Sequence, residues 1–426
     1  MILLKKNEIQ LTADDVANHN VFEAPAGNLS SWLRALAVSL LGMGQVTLLI
    51  SLPVLVADTG LGYDIFTGLV ALGTFLFIFF APVWGKLSDK YGRKPVVLAG
   101  LAGIMISNAM VVLIIKALMS DIISTGTAMT GLILSRVIYG VLVSGLYPAV
   151  QAWTLSNCQS KDSINKLSQV TSAISLGRLA GPLLPLLFLS SGSTTPLAFI
   201  AALSALLLFL MSFSKEAFQP TQPNNTPTSL SVVKNTLNNL WPALLLAVSV
   251  TTLFGLLQYL IAPILQQRFE FTAQNASELL SLLMMLAAAA TVVSHLTVLQ
   301  LLKNNPMVAL QVGSVLILIG CLVLITAGTI TLLTTGVSLC AAAVTLLTPV
   351  YTSIAAKQLP NRQGTITGSL SMIHTAGYTL GALLAGLVGM PDSPILTVVT
   401  LFVAFLILLI SFFLIEPEKN KTHAIY

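Results

Sequence analysis

A chain of 426 residues that is 55% hydrophobic and only 8% charged, with a mean hydropathy of +0.90, is not an ordinary soluble domain, in which about a quarter of residues are charged. The composition calls for an all-α, polytopic membrane protein, and its long apolar runs exclude a β-barrel, whose strands alternate over about ten residues. The net charge of +5 lies mostly between the apolar runs, so it reports topology and gives no sign of nucleic-acid binding.

The first 31 residues are polar. Lys5 and Lys6 lead into a partly acidic stretch, Asn7 to Ser31. No short apolar core with a cleavage site follows, so the segment is not a signal peptide. A membrane-spanning helix needs about 20 apolar residues. Twelve spans are expected: Trp32–Val56, Ile65–Trp84, Val96–Leu118, Thr127–Ala149, Leu167–Leu189, Pro196–Phe213, Leu240–Leu265, Ala276–Leu301, Met307–Ala327, Ile330–Tyr351, Ile366–Val388 and Ile395–Ile415. Between the second and third lies the densest charged run, Gly85-Lys86-Leu87-Ser88-Asp89-Lys90-Tyr91-Gly92-Arg93-Lys94-Pro95. It reads as a tight hairpin outside the bilayer, with Gly85 and Gly92 allowing close helix approach and a turn.

Residues 214–239, rich in Pro, Thr, Asn and Ser, read as a flexible linker between two six-helix halves, 32–213 and 240–415. Residues 416–426 form a tail. With both ends in the cytoplasm, sixteen Lys and Arg fall inside, from Lys5, Lys6 and Arg34 to Lys419 and Lys421, against Lys116 and Arg268 outside. That asymmetry orients a multi-pass protein of the inner (plasma) membrane.

The halves look like repeats. Gly177 and Gly181 of span five recur as Gly377 and Gly381 of span eleven, 200 positions later. Leu52-Pro53 near the end of span one recurs as Ala262-Pro263 in span seven, and Tyr147-Pro148 of span four as Thr348-Pro349 of span ten. Parallel repeats of this kind mark a two-domain transporter with its site between the halves, near the midplane.

These residues resemble the major facilitator superfamily over nearly the whole chain. The run Gly85–Lys94 resembles the motif between spans two and three, and Leu134-Ser135-Arg136-Val137-Ile138-Tyr139-Gly140 resembles the span-four motif. Gly177-Arg178-Leu179-Ala180-Gly181-Pro182 resembles the antiporter motif of twelve-span drug:proton exporters. The resemblance implies secondary active export of a small organic compound by proton antiport. It implies a latch role for Asp89 and Arg93, with Gly85 and Gly92, against the start of span eleven near Gly364 or Thr365. It also gives Gly177, Gly181 and Pro182 a helix-packing role that restricts leak. The chain departs from the family at three places. Gln45 stands where an acid is common in span one, Leu183 and Leu184 replace two glycines after Pro182, and Lys303-Asn304-Asn305 has lost the loop motif.

The residues themselves point to the cargo. Arg136 and Arg178 lie within spans, where a guanidinium persists only beside a cavity or partner. Asp58, Asp64, Asp121, Glu270 and Glu278 all lie near span ends, so neither arginine has an evident buried counter-ion. An anionic substrate would supply one. A polycarboxylate or carboxylate siderophore is the expected class, with multidrug efflux or proton-coupled import as alternatives; packing against backbone carbonyls is the bland reading of both arginines. His374 and Tyr378, one turn apart in span eleven, are expected to face the same cavity, His374 as a proton carrier or as a hydrogen-bonded structural histidine. Gln45 is a neutral donor to that cavity. Trp84, Trp153 and Trp241 read as an interfacial belt. Cys158, Cys321 and Cys340 suggest neither a disulfide nor a metal site. Without a phosphate loop the chain is expected to be no enzyme or ATP-driven pump, to need no cofactor, and to act as a monomer in lipid with protons and its small-molecule substrate as partners.

Overall fold

The computed structural model describes residues 28–156, 163–214, 230–302, 305–358, 363–388 and 393–414. The N-terminal segment, most of the linker, the tail and Cys158 lie outside them. All regular secondary structure among the described residues is helical.

In chain order the helices are α1 (Asn28–Thr59), α2 (Tyr63–Tyr91), α3 (Arg93–Met119), α4 (Thr125–Val143), α5 (Leu146–Ser156), α6 (Ser163–Ala180), α7 (Leu183–Phe188), α8 (Thr195–Ser212), α9 (Leu230–Gln267), α10 (Ala273–Leu296), α11 (Val298–Leu302), α12 (Pro306–Ile325), α13 (Ile330–Gln358), α14 (Gln363–Val388) and α15 (Pro394–Leu409), the last running into a π-helical turn, Ile410–Leu414. Eleven stretches among the described residues are long and apolar enough to cross a membrane; Thr125–Thr154 and Gln169–Ser191 each combine two helices. The twelfth position belongs to α14, with the shorter apolar stretch Met372–Leu387.

Proline and glycine explain the breaks. Pro148 has no N–H to return to the preceding turn, and the fourth span divides between Val143 and Leu146. The Trp84 indole donates to the carbonyl of Val141 beside this break. Pro182 and Pro185 divide the fifth span into α6 and α7.

The charged run is the tight hairpin expected of it, and most of it is helical. Lys86, Asp89 and Lys90 continue α2 to Tyr91, and α3 starts at Arg93. Exposed Lys and Asp are tolerated in a final helical turn outside hydrocarbon, so the helix outlasts its apolar part. The reversal is a single residue, Gly92, at φ +98°. Its N–H donates to the carbonyl of Ser88 at 3.1 Å, and a side chain there would strain the backbone. Lys94 Nζ then donates to the carbonyls of Ser212 (2.7 Å) and Ser214 (2.6 Å), tying the turn to the end of α8.

The tryptophan belt also needs correction. Trp153 is buried, with the Arg34 guanidinium 5.0 Å from its ring centroid. Trp84 is half-buried and hydrogen-bonded, while Trp241 is exposed. Arg34, at the start of the first span, is itself buried in α1 and donates to the hydroxyls of Ser30 and Ser31. A stacked cation can be accommodated near a helix end at modest cost.

Among the described residues the buried apolar side chains form three clusters. One fills the second half around Leu246, Leu253, Ile261 and Leu347. Two fill the first half: Leu40, Leu101, Leu146 and Trp153 at the Gly92 end, and Leu52, Leu55, Leu69 and Ile115 at the other. The halves meet where α2 packs on α14 and where α10 packs on α1 and α7.

Candidate functional site

Two close helix pairs build the centre of the molecule. Gly177 of α6 lies so close to α1 that an added Cβ would collide with the carbonyl oxygen of Ser39 and stand 2.5 Å from its carbonyl carbon. At Gly181 it would meet the carbonyl oxygen of Met43 at 3.0 Å. Ser39 Oγ donates to the carbonyl of Ala173 at 2.7 Å, and Thr47 Oγ1 to that of Gly181 at 3.1 Å. In the second half, Gly377 of α14 faces Thr251 and the carbonyl of Val248 on α9, and Gly381 faces Thr252 and Leu256. The glycines that repeat 200 positions apart therefore sit in equivalent helix contacts. Small residues let the backbones approach where the lipid provides no hydrophobic drive.

These contacts set the placement of the candidate polar residues. Gln45, on α1, lies beside the Tyr139 hydroxyl of α4. Arg178, in the last turn of α6 and inside the membrane-length stretch Gln169–Ser191, is exposed. The helix breaks at Gly181-Pro182 immediately afterwards and resumes as α7 at Leu183. The Arg178 charge acts on Tyr139 in its own half and on His374 in the other.

Arg136 is only 6% exposed. Its guanidinium carbon stands 5.6 Å from the centroid of the Tyr139 ring, and it borders a small cleft lined by Leu48, Leu52, Phe66, Leu69 and Leu132. Among the described residues it makes no hydrogen bond and no ion pair. Its polar surroundings are the phenols of Tyr139 and, from the other half, Tyr259. Cation–π contact offsets only part of the cost of withdrawing a guanidinium from water.

His374 and Tyr378, one turn apart on α14, have different partners. His374 Nε2 and the Tyr351 hydroxyl are hydrogen-bonded at 2.9 Å. Tyr378 instead packs edge-to-face with Phe254, centroids 6.3 Å apart. Tyr259 and Tyr351 both lie in the electrostatic range of Tyr378. Arg136, Tyr139, Gln45 and Arg178 of the first half thus share one polar belt with Tyr259, Tyr351, Tyr378 and His374 of the second. Sequence reasoning missed Tyr351 and the part played by Tyr139. The available signal was a phenol inside an apolar span, and for Tyr139 a spacing of three residues from Arg136, which puts both on one helix face.

The two ends of the molecule differ. At the Tyr63 end the Tyr63 hydroxyl donates to the carbonyl of Tyr259 at 2.7 Å. Thr379 Oγ1 donates to Thr74 Oγ1 at 2.8 Å, and Gly386 lies against Thr67 and Asp64. At the Gly92 end Asp89 is exposed, with no hydrogen-bond partner or ion pair among the described residues. Gly85 has no atom within 4 Å of an added Cβ, so the close approach expected there is absent in this conformation. Arg93 is half-buried. The side chains of Gln363–Ser369, where Asp89 was expected to dock, lie outside those described. Among the described residues the acidic groups lie towards the helix ends: Asp58 and Asp64 are exposed at the Tyr63 end, and Glu278 accepts from Gln274 at 2.7 Å early in α10. No group of three metal-ligating side chains occurs among the described residues.

Comparison with known proteins agrees with this architecture. The Major Facilitator Superfamily model matches residues 34–382. The chain is 30% identical over 280 residues to the multidrug resistance protein MdtG of Citrobacter koseri, covering 63% of this chain and 65% of the relative. It thus spans just under two thirds of that relative's length. It is 23% identical over 319 residues to multidrug resistance protein 2 of Bacillus subtilis, covering 72% of this chain and 75% of the relative. Among solved structures, a bacterial homologue of the human lysosomal transporter Spinster, inward-facing and occupied, superposes with a TM-score of 0.68 at 14% identity over 91% of this chain and 97% of that one. A family match running from α1 into α14, on an all-helical fold, makes the chain a member of the Major Facilitator Superfamily, a family of transporters.

Proposed function

We propose that the protein exports small amphipathic organic compounds in exchange for protons, and that its central belt favours anionic or neutral cargo over cationic cargo. The direction rests on the multidrug-resistance relatives and on the span-five glycine motif. A specialised siderophore exporter has no counterpart among them, and the multidrug reading takes its place. The observation that carries the charge preference is Arg136, buried without a carboxylate, with Arg178 close by and the acids at the helix ends. A cation entering this belt meets two guanidiniums, whereas an anion gains charge-assisted hydrogen bonds in a medium of low dielectric.

In this reading the halves, 32–213 and 240–415, rock about the belt. The basic turn at Gly92 and both termini face the cytoplasm, as the sixteen-to-two distribution of Lys and Arg requires for a protein of the inner membrane. Asp89 then engages the start of α14 when that end closes. His374 is the side chain for the proton: once charged it faces Arg178 across the halves, and the like charges favour separation.

The test is counterflow in proteoliposomes with two fluorescent probes, carboxyfluorescein as the anion and ethidium as the cation. The expected result is faster exchange of carboxyfluorescein, lost in Arg178→Ala although that variant stays in the membrane. Preferential exchange of ethidium, unchanged by Arg178→Ala, refutes the charge preference.

A further inference from the structure

The carbonyl of Tyr259 is left without its helical partner by the sequence itself. Pro263 stands four residues later inside α9 and has no N–H to offer it. The group that fills the gap comes from the other half: the Tyr63 hydroxyl donates to this carbonyl at 2.7 Å. Tyr63 is the first residue of α2 and packs against buried clusters of both halves. The side chain of Tyr259 meanwhile lies within charge range of Arg136, Tyr139 and Tyr378.

The same device occurs within one half. Pro185 deprives the Gly181 carbonyl of its N–H partner four residues on, leaving it a long bond of 3.3 Å from the Leu184 N–H, and Thr47 of α1 donates to it at 3.1 Å. Helices α1 and α6 belong to the same half, so that bond survives any rocking between halves. The bond from Tyr63 crosses between the halves and breaks whenever the Tyr63 end opens. A buried carbonyl without a partner is costly, which gives the closed end a specific hold rather than a merely apolar one.

We propose that Tyr63 is a positioning residue for transport. Through the carbonyl freed by Pro263 it holds α9 closed against α2, and it fixes Tyr259 beside Arg136, so that opening this end and rearranging the belt are one event. The proposal deepens the transport reading and rests on it for its consequence, but its geometry can be measured without cargo.

The experiment uses the full chain in lipid nanodiscs, with its three cysteines replaced and spin labels at Asp58 and Gln267, both exposed near this end, one in each half. Pulsed electron resonance gives the populations of joined and separated forms. Tyr63→Phe, which removes one hydroxyl, is expected to raise the ratio of separated to joined forms about fivefold, the net effect of one hydrogen bond. Pro263→Ala restores a helical N–H for Tyr259, so it is expected to move the ratio the same way and to reduce the effect of a further Tyr63→Phe change to less than about twofold. Unchanged populations in Tyr63→Phe, or an equally large effect of Tyr63→Phe in the Pro263→Ala background, overturn the proposal. Neither result depends on which probe the protein exchanges, so a wrong cargo and a wrong latch give different failures.

Discussion

Adding one methyl at Gly177 puts the central geometry under direct strain. The new Cβ would collide with the Ser39 carbonyl oxygen, and would stand 2.5 Å from the carbonyl carbon and 2.7 Å from Cα of the same residue. All three are backbone atoms of α1, so no rotamer change can relieve the contact. Ordinary contact begins at 3.4 Å, so relief at the carbonyl carbon alone requires α1 and α6 to part by about 0.9 Å, and the oxygen asks for more. The bond of Ser39 to Ala173, now 2.7 Å, and that of Thr47 to Gly181, now 3.1 Å, would stretch beyond hydrogen-bonding range. Overpacking costs about 1–3 kcal/mol, and each lost bond adds about 1 kcal/mol. Gly177→Ala is therefore expected to lower the Tm of the detergent-extracted protein by several degrees and to abolish transport, because Arg178 is carried on the displaced turn. Gly85→Ala is the matched control, since no atom lies within 4 Å of its added Cβ, and it is expected to keep the wild-type Tm. A wild-type Tm and a monodisperse size-exclusion profile for Gly177→Ala would refute the α1–α6 contact on which the site is built.

The second-half counterpart, Gly377→Ala, is expected to cost less. Its nearest neighbour is the Thr251 hydroxyl, a side-chain atom, and the nearest backbone atom, the Val248 carbonyl oxygen, lies at 2.9 Å; the two melting temperatures, compared in one detergent, decide. Asp89→Asn keeps the shape of an exposed residue and is expected to leave Tm unchanged while slowing substrate exchange severalfold; an unaltered exchange rate removes Asp89 from any latch. His374→Gln is expected to retain carboxyfluorescein counterflow but to lose accumulation driven by a pH gradient. Accumulation at the wild-type level in that variant assigns the proton to another group.

Much of the fold was legible because lipid imposes a simple rule: backbone polar groups must be satisfied internally, so apolar runs of sufficient length become helices. The repeat of Gly177 and Gly181 as Gly377 and Gly381 was legible for a related reason, since close backbone approach tolerates only small residues. The turn at Gly92 was legible in the charged run, but the length of the helix was not, because charge marks the end of hydrocarbon and not the end of a helix; Lys86 and Lys90 carry α2 on to Tyr91. Arg178 lies within the fifth span as hydropathy suggested, but hydropathy does not show that Gly181-Pro182 breaks the helix beside it. The pairing of His374 with Tyr351, 23 residues away, depends on how α13 and α14 pack, which a single helix periodicity does not encode. Pro263 was visible as a repeat mark, but the need it creates at Tyr259 is met by a residue 196 positions away.

The Lys94 ammonium holds the carbonyls of Ser212 and Ser214, the point where the chain departs from the first half towards the linker. The turn at Gly92 and the root of the linker are therefore moored to one another. With a single residue between α2 and α3, that mooring has almost no slack. A pull on the linker reaches Asp89 as a displacement of its helix rather than being absorbed along the way, so shortening or stiffening the linker should change the transport cycle through this mooring, without any change to the belt itself.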